Sequence, residues 1–181
     1  MKLNYQGIQD KMAWEAANIT LPAFDWKQIA EKTKKNPIWL HFGAGNIFRG
    51  FIARLQQKLL DQELVKEGII AAETFDFEII DKIYKPYSNM AIIARLKPNG
   101  EIEKEIVASI TEALCVNPLY PDDMARLKEI VQEKSLQLIS FTITEKGYAL
   151  TDIEGNYIHV VQSDMEEGPS DCSHIISIII A

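Results

Sequence analysis

The apolar run Ile38-Trp39-Leu40-His41-Phe42 ends in the turn Gly43-Ala44-Gly45, and a different period follows it. Ile47, Phe48, Phe51, Ile52, Leu55, Leu59 and Leu60 recur at three- and four-residue steps. That spacing predicts a strand over 38–42 and a helix over 47–62. A second run, 69–73, is apolar until its last residue, Glu73, as a parallel strand covered on both faces should be. Phe77, Ile80 and Ile83 then mark a helix over 76–84, which Pro86 ends. Residues 90–96 and 101–110 flank Lys97-Pro98-Asn99-Gly100, and Asn-Gly between two such runs predicts a hairpin. Ile102, Ile106 and the charged residues between them make it a half-exposed arm, inserted in the core or appended to it. Pro121 opens another helix, with Asp122 and Asp123 suited to its first turn and Met124, Leu127, Ile130 and Val131 as its apolar stripe. Residues 136–143 predict a further buried strand. Beyond it, 149–161 reads as irregular around a turn at Glu154-Gly155-Asn156. Gly168-Pro169-Ser170-Asp171 reads as a helix start, and 172–181 as helix or apolar strand.

Strands alternating with helices predict an α/β fold with a mostly parallel sheet, flanking helices and an inserted β-hairpin. Residues 1–36 form an N-terminal extension with a helix over 10–17, a break at Leu21-Pro22, and a second helix over 26–34 capped by Asp25. Its Trp14, Leu21, Phe24, Trp26 and Ile29 must be buried, against the main domain or a partner. Residues 37–170 are the expected main domain. Residues 171–181 read as the start of a further, truncated domain, because Ile175, Ile176, Ile178, Ile179 and Ile180 carry no stop signal behind them.

Strand, glycine turn and helix start together make the phosphate-binding corner of a Rossmann-type dinucleotide fold. A helix N-terminus offers unpaired N–H groups and the positive end of its dipole to a pyrophosphate. Gly43 allows the sharp exit from the strand, and Gly45 lets the backbone approach the anion. Gly43 to Arg49 are therefore the expected cofactor contacts: Gly43, Ala44, Gly45, Asn46, Ile47, Phe48 and Arg49. The third glycine of G-x-G-x-x-G would fall at Phe48, so this helix must sit differently on the sheet. Arg49 opposes the helix dipole, which gives it a phosphate-facing or inter-domain role. Glu73 stands where such folds place an acid against the adenosine ribose hydroxyls, although the separation exceeds the usual roughly 20 residues. Two readings of Glu73 stand, a ribose ligand that repels a 2′-phosphate and so selects NAD, or a solvent-exposed charge. Asp76 is the reserve. At the end of the last strand, Thr144-Glu145-Lys146-Gly147-Tyr148 offers Thr144, Glu145 and Lys146 to the nicotinamide or substrate side, against a plain polar loop. His41 reads as a satisfied core histidine rather than a catalytic one.

Composition narrows the field further. With 181 residues, 47% hydrophobic and 25% charged, the chain can build one ordinary core. Its net charge of −7 and short basic clusters argue against a nucleic-acid surface. Cys115 and Cys172 lack metal-ligand spacing and read as reduced thiols in a cytoplasmic protein. The first residues carry no secretory pattern, and no apolar run is long enough to cross a bilayer. No Ser/His/Asp arrangement, carboxylate pair or metal set stands out.

The stretch His41-Phe42-Gly43-Ala44-Gly45-Asn46-Ile47-Phe48-Arg49-Gly50-Phe51 resembles the opening fingerprint of the mannitol dehydrogenase family, the long-chain polyol dehydrogenases. It is especially similar to the version in mannitol-1-phosphate 5-dehydrogenases. Thr142-Ile143-Thr144-Glu145-Lys146-Gly147-Tyr148 resembles a second family signature, nearer the mannitol dehydrogenase and fructuronate reductase branch, as does Gly168-Pro169-Ser170. The resemblance covers about 38–170. It implies an NAD(P)-dependent oxidoreductase acting on a sugar alcohol, ketose or hexuronate, with a Rossmann-type domain followed by a helical one. It also implies a catalytic lysine, with asparagine and histidine partners, in that second domain. Nothing in residues 1–181 matches these three, so no catalytic residue is assigned, and Lys146 is carried over only as a pocket residue. The expected cofactor is NAD, no metal is expected, and a homo-oligomer or the second domain would cover the apolar end. A non-catalytic dinucleotide-sensing or partner-binding module is the competing reading.

Overall fold

The computed structural model describes residues 1–170 and 172–181. Asp171, the last residue of the expected helix start, lies outside them. The chain runs α1 (Lys11–Ala16), β1 (Ile19–Thr20), α2 (Trp26–Lys35) and β2 (Trp39–Phe42). A π turn (Phe48–Ile52) leads into α3 (Ala53–Asp61), followed by β3 (Ile69–Glu73). Next come α4 (Phe77–Ile79), a second π turn (Ile80–Tyr84), a 3-10 turn (Lys85–Tyr87), β4 (Ala91–Leu96), β5 (Ile102–Val107) and β6 (Ile110–Cys115). The remainder is α5 (Pro121–Gln132), β7 (Leu138–Phe141), α6 (Glu145–Tyr148), α7 (His159–Glu167) and α8 (Ile175–Ile180).

The central sheet has the order β6-β3-β2-β7, with every pairing parallel. Its helices lie on both faces, as the Rossmann-type reading expects. Alternation along β3 builds the two cores. Ile69 and Ala71 pack with Phe48, Ala53, Ile80 and Tyr84 on one face. Ile70 and Ala72 pack with Leu40, Phe42, Leu127, Ile130 and Ile175 on the other. Ile69 and Ile70 are both fully buried, worth about 1.5–3 kcal/mol each.

The hairpin is present, but its second strand is shorter than expected. The run 101–110 is two strands, β5 and the start of β6, which belong to different sheets. The chain changes sheet at Ala108-Ser109, where side chains hold the backbone: Ala108 N–H donates to Gln57 Oε1 (2.6 Å) and Ser109 Oγ to the Ala53 carbonyl (2.5 Å). No glycine, proline or charge falls between Ile106 and Ile110 to mark this handover. Nor is the hairpin a half-exposed arm throughout. Its tip is exposed, but Ile106 and Val107 at its base are fully buried. β1 joins its free edge in parallel, in a sheet ordered β1-β5-β4. The extension therefore packs on the hairpin, with Trp14, Ile8, Met90, Ile106 and Ala108 as a third core. Asp25 caps α2 as expected, accepting from the N–H groups of Lys27 and Gln28.

Three expectations at the C-terminal end are corrected. β7 is an edge strand and only partly covered, with Leu138 44% exposed, because among the described residues no strand pairs beyond it. Part of the expected irregular segment is α7. Gly168 ends that helix with φ +84, a left-handed value glycine adopts without strain, so Gly168-Pro169-Ser170 terminates one helix rather than starting the next. Asp164 in α7 holds the approach to α8, accepting from the N–H groups of Ser173 (2.8 Å) and His174 (2.9 Å), and His174 Nδ1 caps that helix by accepting from Ile176 N–H (3.3 Å).

Candidate functional site

In a sheet ordered β6-β3-β2-β7, the chain leaves β2 for β3 on one side and later returns to β7 on the other. The switch point therefore lies between the C-terminal ends of β2 and β7, where open α/β sheets bind ligands. The glycine turn follows β2 and the Thr144–Tyr148 stretch follows β7, so the fold brings the two motifs side by side.

The turn is fixed peptide by peptide. Gly43 N–H donates to the Ala72 carbonyl (2.8 Å). The Gly43 carbonyl accepts from Thr142 Oγ1 (3.2 Å), while the N–H of the same peptide unit, on Ala44, donates to Glu73 Oε2 (2.8 Å). A trans peptide points these two groups in opposite directions. One peptide plane is thus gripped from β7 on one side and β3 on the other. The Ala44 carbonyl accepts from Tyr84 Oη (2.7 Å). Gly43 has φ +104, and a Cβ there would come within 2.9 Å of Thr142 Oγ1. At Gly45 a Cβ would meet nothing within 4 Å. Among the described residues, the N–H groups of Gly45, Asn46 and Ile47 have no protein acceptor. They are the free first donors of the helix, the feature that suits an anion.

Glu73 is only 7% exposed, which removes the solvent-exposed reading. Besides Ala44 it accepts, through Oε1, from the N–H groups of Thr74 (3.0 Å), Phe75 (3.0 Å) and Asp76 (3.4 Å). It orders its own turn as well as the glycine turn. Asp76, the reserve candidate, is exposed and makes no side-chain cap to α4.

Phe48 stands at the place of the third glycine and is fully buried. Its ring stacks on His41, centroids 4.2 Å apart and 7° from parallel. Phe48 thus supports the corner from beneath, and the π turn beginning at Phe48 gives the helix the different seat that the missing glycine demanded. Ile47 is 70% exposed. Arg49 hydrogen-bonds Asn46 Oδ1 and lies over the Tyr84 ring, 5.7 Å from its centroid, beside the free N–H groups. Burial raises the Tyr84 hydroxyl pKa, against the opposing effect of Arg49, and keeps the phenol a donor. Thr144 and Glu145 are exposed at the start of α6; the Lys146 side chain lies outside the described ones.

His41 is a satisfied core residue. Nδ1 lies 2.7 Å from Ser140 Oγ and Nε2 2.9 Å from Thr142 Oγ1, and burial lowers its pKa from 6.5 to about 4. The unfolded chain therefore binds this proton more readily than the folded one. Stability from His41 is complete above about pH 6.5 and drains away as the pH falls toward 4. Thermal unfolding followed across that window should show the midpoint falling with pH, and His41→Gln should flatten the slope. An unchanged slope in the variant would remove His41 as the cause. The sequence alone does not single out Thr142, Ser140 and Tyr84 as site residues. Thr142 lies inside the second motif, but Tyr84 gave no signal, since only the fold brings it to Ala44.

Among the described residues no group of His, Cys, Asp and Glu could hold a metal ion, and no helix is long and apolar enough to cross a membrane.

No family model matches the sequence. The chain is 48% identical over 169 residues to D-mannonate oxidoreductase of Thermotoga maritima, a match covering 93% of this chain and 31% of that protein. It is 25% identical over 150 residues to a polyol:NADP oxidoreductase of Gluconobacter oxydans, covering 78% and 27%. Among solved structures it is similar to Pseudomonas fluorescens mannitol 2-dehydrogenase in ternary complex with NAD and D-mannitol, with TM-score 0.77, 21% identity, and coverage of 98% of this chain and 34% of that one. It is also similar to a substrate-free D-sorbitol dehydrogenase, with TM-score 0.72, 21% identity, and coverage of 89% and 32%. The chain spans about a third of the length of these relatives. The structural matches bear out the Rossmann-type fold, and the sequence matches bear out the resemblance to polyol and hexonate oxidoreductases.

Proposed function

We infer that this chain, placed in the mannitol dehydrogenase family by its resemblance, is the cofactor-binding portion of an NAD-dependent oxidoreductase that interconverts a sugar alcohol or hexonate and the corresponding ketose or keto-hexuronate. One observation carries the reading. The Gly43–Ala44 peptide is gripped from both neighbouring strands, and the next three N–H groups stand free beside the switch point. Free donors at a helix start, next to a glycine with open space at its Cβ position, fit a pyrophosphate. Glu73 fits the ribose hydroxyls, since Oε2 keeps a lone pair beyond its bond to Ala44. Thr144, Glu145 and Lys146 flank the nicotinamide side of the crevice. When bound, the nicotinamide supplies the hydride acceptor; this chain's residues position it and shape the field around it.

The D-mannonate oxidoreductase relative favours the hexonate branch, and the resemblance to fructuronate reductases implies fructuronate as the oxidised partner. The resemblance assigns the general base to a lysine of a second, helical domain, whose first residues we place at 171–181, after an extension (1–36) and a dinucleotide domain (37–170). A cytoplasmic location completes the proposal. Titration with NADH and NADPH, followed by nicotinamide fluorescence, tests it. We expect saturable binding in the micromolar to sub-millimolar range, stronger for NADH and displaced by ADP-ribose. Failure to bind either dinucleotide overturns the reading.

A further inference from the structure

We infer that Thr142 is a positioning residue for the cofactor pyrophosphate, acting through the Gly43 carbonyl, and that His41 and Ser140 fix the direction of its hydroxyl. The inference rests on the dinucleotide reading above and adds residues that carry no cofactor contact themselves.

The protons in this cluster can be followed one at a time. Thr142 Oγ1 has a single proton and two neighbours, the Gly43 carbonyl (3.2 Å) and His41 Nε2 (2.9 Å). A carbonyl only accepts, so the hydroxyl proton goes to Gly43. The hydroxyl lone pair then takes a proton from His41, which must carry it on Nε2. The ring is buried and neutral, so Nδ1 is an acceptor. It takes the proton of Ser140 Oγ, 2.7 Å away, and that oxygen accepts in turn from Trp39 Nε1 (2.7 Å). The opposite tautomer would turn the Thr142 proton toward His41 and leave the Gly43 carbonyl without it. The chain of donors runs one way, from Trp39 through Ser140, His41 and Thr142 to Gly43.

This chain is not needed to pair the strands. β2 and β7 already share a parallel ladder from Trp39 to Phe42, extended by Thr142 N–H to the Phe42 carbonyl (2.9 Å). What the Thr142 hydroxyl adds is a fixed peptide plane at Gly43. With Glu73 gripping the other end of that plane, the free N–H groups that follow are aimed before any ligand arrives.

Thr142→Val removes the hydroxyl and keeps the shape, whereas Thr142→Ser keeps the hydroxyl. We expect the valine variant to weaken NADH and ADP-ribose by about tenfold, the equivalent of one lost, partly buried hydrogen bond, and to leave adenosine, which has no pyrophosphate, unchanged. The serine variant should bind all three like the wild type. Should the valine variant not fold, Ser140→Ala cuts the chain upstream and should show the same split between ligands at smaller size. Wild-type NADH affinity in the substituted protein, or equal loss for adenosine, overturns the inference while leaving the dinucleotide reading in place. A wild-type protein that binds neither NADH nor ADP-ribose overturns both.

Discussion

Replacing Gly45 with valine is expected to abolish NADH binding and leave the fold close to wild-type stability. The two glycines of the turn differ in what they do. Gly45 is partly exposed, and a Cβ built on it meets nothing within 4 Å, so the protein has room for a side chain there. The added side chain instead occupies the space of an anion drawn to the N–H groups of Gly45, Asn46 and Ile47. Holding the pyrophosphate a methyl group or more away forfeits several charge-assisted hydrogen bonds, and a loss of about a hundredfold or more follows. Gly43→Ala should behave otherwise. Its φ of +104 is hostile to any side chain, and the new Cβ would press on Thr142 at 2.9–3.2 Å. That variant should lose about 2–3 kcal/mol of stability as well as binding. NADH titration and thermal unfolding, run on both variants, separate the cases. Gly45→Val binding like the wild type would mean that no anion approaches this backbone.

How much of this was legible from residues alone depends on how local each feature is. Ile69 to Glu73 read as a parallel strand because both faces are covered, which leaves an unbroken apolar run. The strand, glycine turn and helix start are legible because they sit within consecutive residues. β6 is hidden in the sequence because two strands of different sheets follow each other across Ala108-Ser109, and the signals that separate them are the remote Gln57 and Ala53. Gly168 suggests a helix start in the sequence and is a stop in the structure: glycine next to proline punctuates a chain without saying on which side the helix lies. Tyr84 reaches Ala44 from a π turn forty residues away, and no spacing rule encodes that contact. The part of the site that sequence could not give is the part assembled across strands.

Glu73 gives the sharpest separation of roles, because its carboxylate serves both as a clamp and as a charge. Glu73→Ala is a poor probe, since it would leave the N–H groups of Ala44, Thr74, Phe75 and Asp76 without their acceptor and cost about 2–3 kcal/mol of stability. Two gentler changes divide the functions. Glu73→Asp keeps the charge but shortens the reach to Ala44, and it should weaken NADH and NADPH alike while leaving their ratio unaltered. Glu73→Gln keeps the reach and removes the charge. Its amide oxygen can serve the three N–H groups of the following turn, but its NH2 then faces the Ala44 N–H, so some affinity for both dinucleotides is lost. The ratio, however, should move. A carboxylate within about 4 Å of a 2′-phosphate opposes it by up to roughly 4 kcal/mol near a protein surface, and removing that repulsion should raise NADPH relative to NADH by at least about tenfold. The similarity to a polyol:NADP oxidoreductase shows that a related chain carries the other preference in its name. If Glu73→Gln leaves the NADPH to NADH ratio where it was, the carboxylate is a clamp alone and the choice of dinucleotide is made by other residues of the turn that follows β3.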